Sequence, residues 1–138
     1  MNYVYAAYNF AGGIIGYMIG GKAENCIAER VNVDSKGYYA GGIAAYANDG
    51  AEIKNCSLTG ICRIGIDNYA GGIAGYIENS VLIENCYSEG TIRATDMFAG
   101  GITGYASDST IENCYSEALG SSGRKFAGGI AGEITGSS

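Results

Sequence analysis

One phrase recurs five times at almost constant spacing. An aromatic residue followed by Ala-Gly-Gly-Ile stands at Phe10–Ile14, Tyr39–Ile43, Tyr69–Ile73, Phe98–Ile102 and Phe126–Ile130, and the copies begin 29, 30, 29 and 28 residues apart. A second phrase, Asn-Cys, keeps step with it at Asn25-Cys26, Asn55-Cys56, Asn85-Cys86 and Asn113-Cys114. A fixed period in the range of about 20–50 residues implies a stacked array, because one such unit cannot bury its apolar side alone. The pattern says a good deal about architecture and much less about activity.

Residues 69–97 give the clearest unit. Tyr69–Tyr76 leads to a polar break at Glu78-Asn79-Ser80, then Val81–Tyr87, a break at Ser88-Glu89-Gly90, Thr91–Arg93, and a last break before Phe98. This predicts three short β-favouring runs separated by three breaks. No stretch shows the i, i+3, i+4, i+7 spacing of a helix, and paired Gly would weaken one by about 1 kcal/mol each. Length variation between copies falls in the breaks, as stacked coils tolerate.

A unit of this length with three strands suits one turn of a parallel β-helix, each strand pairing with its equivalent about 4.8 Å away in the next coil. The rest of the coil supplies the long connection that parallel pairing needs, and crossover chirality makes right-handed winding the expectation. Ankyrin and tetratricopeptide arrays need helices, propeller blades need longer units, and a leucine-rich horseshoe needs a Leu ladder that is lacking here. The predicted fold is therefore an all-β, right-handed parallel β-helix of four to five coils. It forms a single domain over residues 1–138, with repeats starting near 10, 39, 69, 98 and 126. The pattern is cut at both ends, which reads as a piece of a longer array.

Charge narrows the partners. Eight basic residues against 14 acidic give a net charge of -6. A nucleic-acid partner needs a basic face, so none is expected. No apolar run approaches the roughly 20 residues that span a bilayer, so no membrane insertion is expected. The opening residues lack a basic region followed by an apolar core, so no signal peptide is read in this segment.

The unit Ala-Gly-Gly-Ile-Ala-Gly-Tyr followed by Ile-Glu-Asn-Cys-Tyr-Ser-Glu-Gly resembles the GLUG motif. This is a Gly-rich repeat of large bacterial surface proteins, found also in the non-catalytic part of immunoglobulin A1-specific metallopeptidases. The motif's Gly-Leu-x-Gly stands here with Ile for Leu at Gly13–Gly16, Gly72–Gly75, Gly101–Gly104 and Gly129–Gly132. The second copy departs, reading Gly42-Ile43-Ala44-Ala45. The resemblance runs from Phe10 to Gly132. It implies a β-helical, extracellular or cell-surface segment acting as a rigid spacer or adhesive surface, with no catalytic residues in the motif itself.

The repeat places chemistry-bearing residues in columns. Cys26, Cys56, Cys86 and Cys114 read as a buried ladder of small hydrophobes. Zinc would need converging tetrahedral ligands, and there is no His and no Cys-x-x-Cys, so no metal or cofactor is expected. Cys62 is read at the place of Ile92. Asn25, Asn55, Asn85 and Asn113 read as a buried structural ladder of amides at a corner; Asn55-Cys56-Ser57 matches a glycosylation acceptor, and burial would make the match accidental. Two acidic columns flank that corner: Glu24, Lys54, Glu84, Glu112, and Glu29, Thr59, Glu89, Glu117. Tyr17, Tyr46, Tyr76 and Tyr105 form a stripe that either stacks structurally or binds a glycan or host protein.

A β-helical carbohydrate-active enzyme, or a glycan-binding module on the same fold, is the alternative function. The enzyme would need carboxylates with Arg, Lys or His on one face. Here the acids keep the repeat's register, and Arg63 and Arg93 are read as one column with no deviant carboxylate beside them. The segment is therefore expected to be non-enzymatic. Tyr3, Val4, Tyr5 and Tyr8 leave the N-terminal coil end apolar and uncharged, which predicts self-association there.

Overall fold

A computed structural model describes residues 2–6, 9–60, 63–66, 68–122 and 125–136, and these contain strands and no helix. All strand pairs are parallel, each at an offset of one repeat. Five sheets run the length of the stack. Sheet A comprises Asn2–Ala6, Val31–Ser35, Arg63–Ile66, Thr91–Ala94 and Leu119–Ser122. Sheet B holds the aromatic-Ala-Gly triplets, Phe10–Gly12, Tyr39–Gly41, Tyr69–Gly71, Phe98–Gly100 and Phe126–Gly128. Sheet C follows with Ile15–Ile19, Ala44–Asn48, Ala74–Glu78, Thr103–Ser107 and Ala131–Thr135. Sheets D (Lys22–Glu24, Glu52–Lys54, Leu82–Glu84, Thr110–Glu112) and E (Ile27–Glu29, Ser57–Thr59, Tyr87–Ser88, Tyr115–Ser116) complete each coil. The result is a β-solenoid of four full turns with three strands of a fifth.

The coil has five strands where three runs were expected, and two local devices make the difference. Gly72-Ile73 folds Tyr69–Tyr76 into an arch, so one apparent run becomes a strand of sheet B and a strand of sheet C. Asn85 adopts a φ of 53° and splits Val81–Tyr87 into strands of sheets D and E. Asn tolerates the left-handed region better than other residues with a Cβ, which explains its recurrence there.

The two glycines of each arch have different reasons. None lies in the left-handed region, so space decides. A Cβ on the first glycine, at Gly41, Gly71, Gly100 or Gly128, would overlap the carbonyl oxygen three residues further on, at Ala44, Ala74, Thr103 or Ala131. A Cβ on the second, at Gly42, Gly72 or Gly101, would overlap the carbonyl oxygen of the corresponding glycine in the next coil, Gly72, Gly101 or Gly129. Around Gly129 that space is open. The first glycine thus permits the arch, and the second permits one coil to sit on another.

The core is a set of apolar columns along the axis. Ile43, Ile73 and Ile102 fill the arch; Ile53 and Ile83 come from sheet D; Val33, Ile64 and Ile92 come from sheet A, and all are fully buried. The Ile43 N–H bonds to the Ile73 carbonyl at 2.9 Å and the Ile14 N–H to the Ile43 carbonyl at 3.3 Å, so Ile43 lies between its two equivalents.

Register corrects two placements. Ile64, not Cys62, stands opposite Ile92, and Cys62 itself lies outside the described residues. Arg63 pairs with Thr91 and Gly65 with Arg93, so the two arginines share no column. The run from Asn2 to Ala6 pairs with Val31–Ser35. The side chains of Tyr3, Val4, Tyr5 and Tyr8, on which the expected self-association rests, lie outside the described ones.

Candidate functional site

The chemistry of the molecule lies in its columns. At the corner between sheets D and E, Asn25, Asn55, Asn85 and Asn113 share φ values of 52–56°. Backbone bonds tie them to the next coil: the Asn25 N–H reaches the Lys54 carbonyl at 3.1 Å, Asn55 reaches Glu84 at 3.0 Å, and Asn85 reaches Glu112 at 3.2 Å. All four Asn are exposed, which corrects the expectation of burial. The corner bulges toward solvent because a residue with positive φ turns the chain outward between two inward-facing neighbours, Ile83 and Cys86 in the third coil.

The cysteine column lies just inside that corner. Cys56 and Cys86 are buried, whereas Cys26 and Cys114 at the column's ends are partly exposed. Each thiol donates to the carbonyl two residues before it: Cys26 to Glu24 at 3.4 Å, Cys56 to Lys54 at 3.2 Å, Cys86 to Glu84 and Cys114 to Glu112 at 3.3 Å. Cys56 and Cys86 also donate to the coil before, to Ala23 at 3.4 Å and Ile53 at 3.5 Å. A thiol therefore fills the column as a small hydrophobe and satisfies corner carbonyls that Val or Ala could not. Hydrogen bonds with Cys114 and Cys56, together with burial, hold the Cys86 thiol protonated, and the same contacts with Cys86 pull Cys56 and Cys114 below the ordinary thiol range.

The aromatic residues form two adjacent ladders along the seam of sheets B and C. Phe10, Tyr39, Tyr69, Phe98 and Phe126 stack at centroid spacings of 5.2, 5.4, 5.5 and 5.7 Å. Tyr17, Tyr46, Tyr76 and Tyr105 stack at 4.8, 5.1 and 4.8 Å. Rings of one ladder meet the other edge-to-face, as at Tyr69–Tyr76, 5.1 Å apart at 86°. The Tyr stripe runs from Tyr17, exposed, through Tyr46, buried, to Tyr76 and Tyr105, half-buried. Burial, with Tyr105 beside it, pushes the Tyr76 hydroxyl up to about 12. Tyr46 donates its hydroxyl proton to the Glu78 carboxylate, and the Tyr105 hydroxyl lies 2.8 Å from that of Thr135.

The first acidic column is bridged at Lys54. Lys54 Nζ lies 3.4 Å from Glu52 and 3.8 Å from Glu84, and Lys22 lies 3.3 Å from Glu52. Hydrogen bonds from Lys22 and Lys54 hold the Glu52 carboxyl below its ordinary range. On sheet E, Tyr87 and Tyr115 stack 5.3 Å apart and donate to Glu89 at 2.8 Å and Glu117 at 2.5 Å. Sequence reasoning missed this pair, although Cys-Tyr-Ser-Glu recurs at 86–89 and 114–117.

A recess at the turns between sheets C and D is lined by Ser80, Asp108, Ser109, Thr110 and Glu112 with apolar neighbours. It brings two carboxylates near hydroxyls and includes no Lys, Arg or Cys to act with them, and the chain has no His. Among the described residues no group of three or more His, Cys, Asp or Glu is arranged to hold a metal ion.

Stacked parallel coils with in-register side-chain columns define a β-solenoid repeat protein. Residues 36–64 and 67–93 match the model of the GLUG motif, so this stretch of the chain carries two GLUG repeats. No curated protein matches it significantly. Among solved structures it is similar to a crystal structure described as a "putative immunoglobulin A1 protease from Bacteroides ovatus", with 31% identity and a TM-score of 0.81. The match covers 96% of this chain and 43% of that one, so the segment spans less than half of its relative's length.

Proposed function

We propose that the segment is a rigid, non-catalytic spacer of a bacterial cell-surface or secreted protein. Its partner contacts, to a host protein or glycan, would be made by its sides. The observation that carries this is the continuity of the columns. Ile, Cys, aromatic and charged ladders pass from coil to coil through the middle of the stack; the last coil departs, with Glu133 opposite Tyr105 and Gly120 opposite Ile92, and among the described residues no ladder is broken by a clustered acid, base and nucleophile. A catalytic centre on a repeat scaffold has to interrupt the repeat, because several different groups must converge on one bond. The likeness to a protein named as a protease supports a place beside a catalytic domain, not catalysis by this segment.

The ladder geometry also bears on the partner. A sugar ring binds Tyr through the ring face, and the faces of Tyr46 and Tyr76 are covered by neighbours at 4.8 and 5.1 Å. What the stripe offers outward is ring edges and hydroxyls, a surface suited to hydrogen bonding with protein or with glycan hydroxyls. Labelling of intact source cells with antibody against this segment, before and after permeabilisation, tests the placement. Labelling of intact cells supports it, and labelling only after permeabilisation refutes it. Turnover of any polysaccharide or peptide by the isolated segment, abolished by Asp108→Asn or Glu112→Gln, would refute the non-catalytic reading.

A further inference from the structure

The cysteine column offers something that neither the core nor the corner requires. Four thiols stand at one position of four successive coils, linked by backbone bonds from Ser57 to Cys26 at 2.9 Å, Tyr87 to Cys56 at 3.0 Å and Tyr115 to Cys86 at 3.0 Å. Successive positions are therefore one strand spacing apart, about 4.8 Å. A thiolate bond to a closed-shell metal ion is about 2.3 Å long, so a linear sulfur–metal–sulfur unit spans about 4.6 Å. The coil spacing matches that span. Soft thiolates select Cu(I), zinc and iron–sulfur clusters, and of these only Cu(I) accepts two ligands in line. Zinc and other tetrahedral ions would need ligands from several directions, which a single straight column does not provide.

We infer that the column binds soft monovalent d10 cations, Cu(I) or its analogue Ag(I), in linear dithiolate sites, one between Cys26 and Cys56 and one between Cys86 and Cys114. Each site pairs a partly exposed thiol with a buried one. The outer thiol gives entry and the inner one excludes water. Glu24 and Glu112, exposed and two residues before the partly exposed Cys26 and Cys114, supply negative charge beside the outer thiol of each site. At each site two S–H bonds break, two sulfur–metal bonds form and two protons pass to solvent; the ion keeps its charge and nothing is oxidised or reduced. The assigned pairing uses every thiol once, which fixes the stoichiometry at two ions per chain.

The test uses the whole chain in a Cys62→Ser background, reduced and kept anaerobic, titrated with Ag(I) and separately with Cu(I) stabilised in acetonitrile. Two ions should bind, with release of two protons per ion, protection of Cys26 and Cys114 from alkylation, and a rise in Tm of at least about 5 °C. X-ray absorption should show two sulfur neighbours per ion. Cys114→Ser, at a partly exposed position where a hydroxyl still meets the Glu112 carbonyl, should remove one ion and leave the circular dichroism unchanged. Cys56→Ser should remove the other. Zn(II) should leave Tm unchanged. No saturable binding, a coordination number of three or four, or two ions still bound in both single variants would overturn the assignment.

Discussion

Replacing Gly72 by Ala tests the stacking argument most sharply, because the same motif supplies its own control at Gly129. The two glycines occupy equivalent places in the Ala-Gly-Gly-Ile phrase. At Gly72 a Cβ would overlap the Gly101 carbonyl oxygen and the Ser88 side chain, both in the tightly packed interior. The Ser88 hydroxyl donates to that same carbonyl, and the Gly72 N–H bonds to the Gly100 carbonyl at 3.2 Å, so neither partner can withdraw without loss. Forcing a methyl group into a packed interior costs about 1–3 kcal/mol. Losing one or two hydrogen bonds adds about 1 kcal/mol each. Ala offsets about 0.4–1 kcal/mol by stiffening the unfolded chain. The net is about 3 kcal/mol, a fall in Tm of roughly 10 °C for a chain of this size. At Gly129 nothing lies within 4 Å of the added methyl, so Gly129→Ala should be neutral or slightly stabilising. Gly128→Ala, whose methyl would meet the Ala131 carbonyl within its own coil, should destabilise although it stands next to Gly129. Thermal and urea unfolding by circular dichroism measure all three. Equal losses at Gly72 and Gly129 would show that these glycines serve the arch alone and would refute the coil-on-coil account.

Three further outcomes follow from the columns. Native alkylation read by peptide mass spectrometry should modify Cys26 and Cys114 first, with Cys56 and Cys86 reacting only on unfolding; rapid native labelling of Cys86 would place it outside the core. Tyr76 is raised to about 12 in the fold against about 10 unfolded, so its contribution is complete below pH 10 and is lost as pH climbs through 12. Stability should fall over that alkaline window, less steeply in Tyr76→Phe, and an unchanged slope would refute the buried ladder. Lys54→Glu would set a third carboxylate between Glu24 and Glu84, beside Glu52, costing about 1 kcal/mol at low salt and less at high salt; a salt-independent loss would point to packing instead of charge.

Much of the fold was legible because a repeat converts sequence position into spatial position. The period alone placed Ile43 between Ile14 and Ile73, and Tyr46 between Tyr17 and Tyr76. The number of strands was not legible from hydrophobic alternation. Gly72 and Asn85 divide runs that look continuous by turning the backbone without changing polarity. Burial of the Asn column was misread for a related reason: Asn recurs there for its tolerance of positive φ, and such a corner faces water. The Arg63–Arg93 column failed because two extra residues, Ile61 and Cys62, stand between Gly60 and Arg63 where Gly90 leads directly to Thr91, and this two-residue slip moves every side chain along its strand. The function was the least legible part, because the residues of a repeat recur in register and do not converge on one point.

The central claim is that each repeat is one coil added along a single axis. Small-angle X-ray scattering on the chain and on a variant carrying three further copies of residues 69–97 tests it directly. The account predicts a particle longer by about 14 Å with an unchanged cross-section, since each coil adds about 4.8 Å. An unchanged length, or a cross-section that widens as repeats are added, would contradict it.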